Sequence, residues 1–148
     1  MALDNRGSVR EVMTRDPQCV SENDSIVDAA RIMQSVDTGV VPVVDGKKII
    51  GMITDRDIVV RLVAEGKDPS SAQVSEAMTT TVRKVDEDAP ISEVVELMSN
   101  EQIRRVPVVN KNDELVGIVS LADLATNTKQ PGKVGKAVEE ISEGPGNN

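Results

Sequence analysis

Gly51-Met52-Ile53-Thr54-Asp55-Arg56-Asp57 returns later in the chain as Gly117-Ile118-Val119-Ser120-Leu121-Ala122-Asp123. Each stretch is apolar up to a hydroxyl residue, followed three positions on by an aspartate and then by further apolar residues. That order reads as a strand running directly into a helix. Immediately upstream stand Val41-Pro42-Val43-Val44 and Val106-Pro107-Val108-Val109, and the match runs back without a gap to Val9 and Val74. Along the way Glu11 faces Glu76, Met13-Thr14 faces Met78-Thr79, Ile26 faces Ile91 and Met33 faces Met98. The chain is therefore built from a duplicated unit of about 60 residues.

Two such copies are too few for a solenoid, and each alone buries only a marginal core, so they are expected to form a pseudo-symmetric pair. The turn-rich stretch Gly66-Lys67-Asp68-Pro69-Ser70-Ser71 marks the boundary. The expected organisation is residues 1–67, residues 68–128 and a tail from 129 to 148 in which Val134, Ala137, Val138 and Ile141 form a short amphipathic stripe.

Periodicity supplies the elements of each copy. Ile26, Ala29, Ala30 and Met33 have the spacing of one buried helical stripe, and Ile91, Val94, Val95 and Met98 repeat it. Ser25 with Asp28 resembles a capping box, and Pro90 suits the first turn of the second helix. Val40 to Val44 with Lys48 to Ile53, and Val106 to Val109 with Glu114 to Val119, read as hairpins around polar turns. A further helix follows Thr54, with Ile58, Val59, Leu62 and Val63 apolar and Gly66 closing it. The unit is strand, helix, strand, strand, helix.

Composition excludes several functions. Of the 148 residues 39% are apolar, enough for a core, yet there is no Phe, Tyr or Trp. A planar ligand would have to be held between aliphatic side chains. The absence of histidine removes the commonest general base and the commonest metal ligand, and Cys19 is the one cysteine. Catalysis and a metal centre are not expected. Cys19 reads as a small buried hydrophobe on a strand. A net charge of -8 argues against nucleic acid as partner. No apolar run approaches the roughly 18 residues of a membrane span, and a lone cysteine suits a reducing cytoplasm.

An h-P-V-V strand, a turn and G-h-h-T/S-x-x-D opening a helix, all in tandem from about Val9 to about Thr126, resemble a CBS-domain pair, or Bateman module. The resemblance implies an α/β (α+β) fold of two pseudo-symmetric units, each a small three-stranded sheet with two packing helices. It also implies a free-standing, non-enzymatic regulatory module that forms a homodimer and acts on another protein. The implied ligand contains adenosine, AMP, ADP, ATP or S-adenosylmethionine, held in clefts between the copies, with no cofactor required.

The residues themselves fit such a ligand. Thr54 and Ser120 offer hydroxyl donors to a phosphate, beside the N–H groups of a helix start. Asp57 and Asp123 could receive both hydroxyls of a ribose. By resemblance, Ile103, Arg104 and Arg105 complete the Asp57 site, and Gly39, Val40 and Val41 the Asp123 site. The Arg104-Arg105 pair fits bidentate anion recognition, and Gly39-Val40 at the matching positions makes the two sites unequal. Arg56 is a further candidate or an exposed first-turn residue. A second reading competes: T/S-x-x-D before an apolar helix is also a plain N-terminal capping box. On that reading the protein is a ligand-free dimeric adaptor.

Overall fold

The computed structural model describes residues 7–127, so the tail from 129 to 148 and its apolar stripe lie outside the described residues. In chain order the elements are β1 (Thr14–Arg15), α1 (Ile26–Val36), β2 (Val40–Asp45), β3 (Lys48–Thr54), α2 (Asp55–Ile58), β4 (Val85–Asp86), α3 (Ile91–Glu101), β5 (Arg105–Val109), β6 (Leu115–Ser120) and α4 (Leu121–Asn127). They fall into two compact units. One is Pro17–Val82, and the other joins the described residues up to Asp16 to those from Arg83 onward.

In the first unit the hairpin β2–β3 pairs Val40 with Thr54 and Asp45 with Lys48, around a loop in which Gly46 takes φ 64. Each edge of the hairpin gains one more segment. Val20 runs parallel to β2, donating its N–H to Pro42 O at 3.0 Å and accepting from Val44 N at 2.8 Å. Thr79 runs antiparallel to β3, exchanging bonds of 2.8 and 2.9 Å with Met52. The second unit repeats this arrangement as a sheet in the order β1-β6-β5-β4, with β4 parallel to β5 and β1 antiparallel to β6.

The second unit has the three expected strands as β4, β5 and β6, whereas in the first only β2 and β3 are strands and the single bridge residue Val20 holds the third position; in both the sheet positions number four. The additional one comes from the start of the other copy: Thr79 beside β3, and Thr14 in β1 beside β6. The compact units therefore differ from the linear division at residue 67. Val74 and Ala77 are buried with the first hairpin, while Val9, Val12 and Met13 are buried with the second. Chain geometry supplies the reason. Were Thr14 and Val20 on one sheet they would lie on opposite edges, three strand spacings or about 14 Å apart. Arg15–Cys19 would then cross a sheet face with its peptide groups unpaired.

Gly51 and Gly117 make the added strands possible. A Cβ on Gly51 would stand 2.8 Å from Thr79 O, and one on Gly117 2.9 Å from Thr14 O and 2.5 Å from Met13 Sδ. The glycine that opens each motif thus admits the neighbouring backbone.

The helices follow their stripes with corrections. α3 buries Ile91, Val94, Val95 and Met98 as expected, whereas α1 buries Ile26 and Ala29, leaves Met33 half-buried and exposes Ala30. Ser25 Oγ accepts the Asp28 N–H at 3.1 Å, and Pro90 occupies the N-cap of α3. Asp37 and Gln102 close α1 and α3 in the left-handed region, with φ 52 and 54. After α2 the chain widens into a π-helix over Val59–Val63, where the Ala64 N–H reaches Val59 O at 2.8 Å. The changed register leaves Leu62 fully buried and turns Val59 and Val63 outward, at 55% and 53% exposure, against the expected apolar stripe. Cys19 is likewise exposed rather than buried, because it precedes the single bridge residue Val20 instead of lying within a strand. Among the described residues no helix is long and apolar enough to cross a membrane.

Candidate functional site

Thr54 is the last residue of β3 and the N-cap of α2. Its Oγ1 accepts the Asp57 N–H at 3.0 Å, while Asp57 Oδ2 accepts the Thr54 N–H at 3.0 Å. Ser120 and Asp123 reproduce the box in the other unit, with Asp123 N donating to Ser120 Oγ at 3.0 Å and Ser120 N donating to Asp123 Oδ2 at 2.9 Å. The capping chemistry anticipated for T/S-x-x-D is thus made in both copies. It does not exhaust the carboxylates, since an ionised carboxylate accepts through two oxygens and about four lone-pair positions.

Each box has the same backbone neighbours. Val40 lies opposite Thr54, and Asp55 N donates to Gly39 O at 2.9 Å. In the other unit Arg105 lies opposite Ser120, and Leu121 N donates to Arg104 O at 2.8 Å. Within its own unit, then, each motif sits beside the residues that enter its own Val-Pro strand: Gly39, Val40 and Val41 with Thr54, and Ile103, Arg104 and Arg105 with Ser120. The side chains differ in availability. Val41 is fully buried and Ile103 packs on the core, so both offer backbone alone, whereas Arg104 is exposed and Arg105 half-buried. A Cβ on Gly39 would meet only the carboxylate of Asp55, an exposed side chain, at 3.0 Å. Arg56 is exposed in the first turn.

α2 (Asp55–Ile58) continues without a break into the π-turn over Val59–Val63, so its peptide dipoles stay aligned behind the Thr54 N-cap.

One contact is not legible in the sequence. Arg61 lies one helical turn beyond Asp57, with Nε 3.9 Å from Asp57 Oδ1 and Nη1 donating to Met78 O at 2.9 Å and Ala77 O at 3.3 Å. The i, i+4 spacing of opposite charges was the available signal for the first of these. Nothing local announces the carbonyls. Among the described residues no cluster of three or more His, Cys, Asp or Glu is placed to hold a metal ion.

The CBS-domain family model matches residues 9–64 and again 74–128, and the chain belongs to that family. It is 40% identical over 135 residues to the CBS domain-containing protein YhcV of Bacillus subtilis, covering 91% of this chain and 95% of that one. A crystal structure of Hypoxic Response Protein I with two coordinated zinc ions superposes with a TM-score of 0.75 at 38% identity, covering 82% of this chain and 98% of the other. The CBS domain pair of MJ0100, in complex with 5-methylthioadenosine and S-adenosyl-L-methionine, superposes with a TM-score of 0.71 at 32% identity, covering 81% and 98%. Zinc favours Cys and His ligands, and this sequence holds one Cys and no His.

Proposed function

We propose that the protein is a non-enzymatic, cytoplasmic regulatory module that binds an adenosine-containing ligand of the AMP, ADP, ATP or S-adenosylmethionine class at its two T/S-x-x-D motifs and passes occupancy on to a protein partner. The observation that carries this reading is the recurrence, in both units, of one hydroxyl and one carboxylate beside the same strand entrance. The adenosine ligands of the MJ0100 pair support the ligand class. Thr54 and Ser120 address the anionic or polar end of the ligand, Asp57 and Asp123 the ribose hydroxyls, and Arg104 with Arg105 supply positive charge that the first copy lacks.

A thermal-shift panel of AMP, ADP, ATP and S-adenosylmethionine tests the reading. Ligand at a hundredfold over its dissociation constant stabilises by about 2.7 kcal/mol. Asp57→Asn and Asp123→Asn retain an oxygen for the cap while weakening diol recognition, so they should abolish the shift with little change in the unliganded melting temperature. Replacing Arg104 and Arg105 by Ala should weaken phosphate-bearing ligands most. Loss at the Asp57 site, rather than at the Asp123 site, is the outcome the family-derived assignment of Ile103, Arg104 and Arg105 requires.

The closed capping boxes favour the second reading, a ligand-free dimeric adaptor. On that reading no ligand in the panel shifts the melting temperature, and the aspartate variants change stability alone. Homodimerisation is common to both readings, and the outward-facing Val59, Val60 and Val63 support it. Val59→Ser with Val63→Ser should raise the dimer dissociation constant in sedimentation experiments.

A further inference from the structure

We propose that Arg61 is a positioning residue that couples the Asp57 carboxylate to the docking of the segment Val74–Thr79 on β3. In its ligand-bound form the inference rests on the ribose role given above to Asp57. Three contacts place Arg61 between the two. Its Nη1 donates to Met78 O and Ala77 O at 2.9 and 3.3 Å, and its Nε stands 3.9 Å from Asp57 Oδ1. The carbonyls it holds come just before Thr79, the residue that exchanges two backbone bonds with Met52.

The parts are arranged so that a change at one end is felt at the other. Leu62, fully buried beside Arg61, fixes the backbone of the π-turn, and Ala77 is buried at the far end. The guanidinium is a planar fork with a permanent charge, able to hold two carbonyls and face a carboxylate together. Asp57 Oδ2 already accepts the Thr54 N–H, so Oδ1 is the oxygen shared between Arg61 and an incoming diol. A ribose that takes Oδ1 weakens the hold of Asp57 on Arg61, and by reciprocity the docking of Val74–Thr79 and the affinity at Asp57 are linked. The second copy has Asn127 where Arg61 stands in the first, so that position carries no guanidinium there. The side chain of Arg61 is 49% exposed and that of Asp57 16%, so the coupling is modest, about two- to fivefold.

Amide hydrogen exchange on the full chain tests this without ligand. Arg61→Gln should speed exchange at Thr79 N and Met52 N about two- to fivefold relative to the β2–β3 hairpin amides, and Arg61→Lys should recover part of that loss. Asp57→Asn should also speed exchange at Thr79, and its effect should vanish in the Arg61→Gln background. Additive effects in the double variant, or unchanged exchange in Arg61→Gln, would overturn the proposal. A final arm adds S-adenosylmethionine or AMP to the wild type and to Arg61→Gln. Binding that alters Thr79 exchange in the wild type alone extends the coupling to the ligand. Binding that alters it equally in both overturns that extension. No binding to the wild type removes the ligand reading, while the ligand-free comparison still decides the role of Arg61.

Discussion

Gly51→Ala is the substitution that most directly tests how the segment after the first unit's last turn is held. The new methyl would lie 2.8 Å from Thr79 O, with Met78 Sδ at 3.4 Å and Thr79 C at 3.6 Å. The nearest atom is backbone, and it is bonded to the Met52 N–H at 2.9 Å, so relief requires Thr79 to move away from β3. Overpacking of this kind costs about 1–3 kcal/mol. Weakening the paired Met52 and Thr79 hydrogen bonds adds about 0.5–1.5 kcal/mol for each bond lost. Against these stands a gain of about 0.4–1 kcal/mol from the less flexible unfolded chain. The net expectation is a loss near 2.5 kcal/mol, which for a chain of this size lowers the melting temperature by roughly 5–10 °C. Hydrogen exchange at Met52 and Thr79 should rise by up to about 60-fold if the whole loss appears as local opening. The Thr14 and Ile118 pairing in the other unit should be unaffected. A variant that melts with the wild type and protects both amides equally well would refute the close-approach argument.

Three further outcomes are expected. Gly46 has open space around it and φ 64, so Gly46→Ala should cost about 1 kcal/mol through backbone strain alone, and Gly46→Asn should recover most of it in chemical denaturation. Ser70 donates its hydroxyl at 2.7 Å and its N–H at 2.9 Å to Asp68 Oδ1, holding that carboxyl below its ordinary value. Because the folded value is the lower one, the stabilisation is complete above the unfolded pKa and is lost as pH falls through the folded one. Carboxyl NMR titration of Ser70→Ala should show the Asp68 midpoint moving upward, and an unmoved midpoint would refute the assignment. Desolvation, with Asp24 adding to it, pushes the Cys19 thiol up even though the residue is exposed. Alkylation near neutral pH should therefore be slower than for a free thiol, and Asp24→Asn should speed it.

The candidate site was partly legible because its chemistry is local. Thr54 with Asp57 and Ser120 with Asp123 are three residues apart, and a capping box needs nothing beyond that spacing. The strand entrances at Gly39 and Arg104 were readable from the repeat, and hairpin register then sets them beside Thr54 and Ser120. The role of Arg61 is not legible in the sequence, because two of its three contacts are to carbonyls 16 and 17 residues away. The stripe over Val59 and Val63 misled for a different reason. It assumed a regular helix, and a π-turn shifts which side chains face inward.

By itself the sequence determined the duplication, the hairpins, the α3 core face and the two T/S-x-x-D boxes, all of which are set by periodicity and by contacts within one element or one turn. The tertiary structure alone decided that each hairpin accepts a strand from the start of the opposite copy, and that Gly51 and Gly117 make room for it. A short strand such as Thr14–Arg15 has no pattern of its own that names its neighbour. It pairs where a sheet edge is open, a glycine lets backbone approach, and burial of Val9, Val12 and Met13 holds the segment in place.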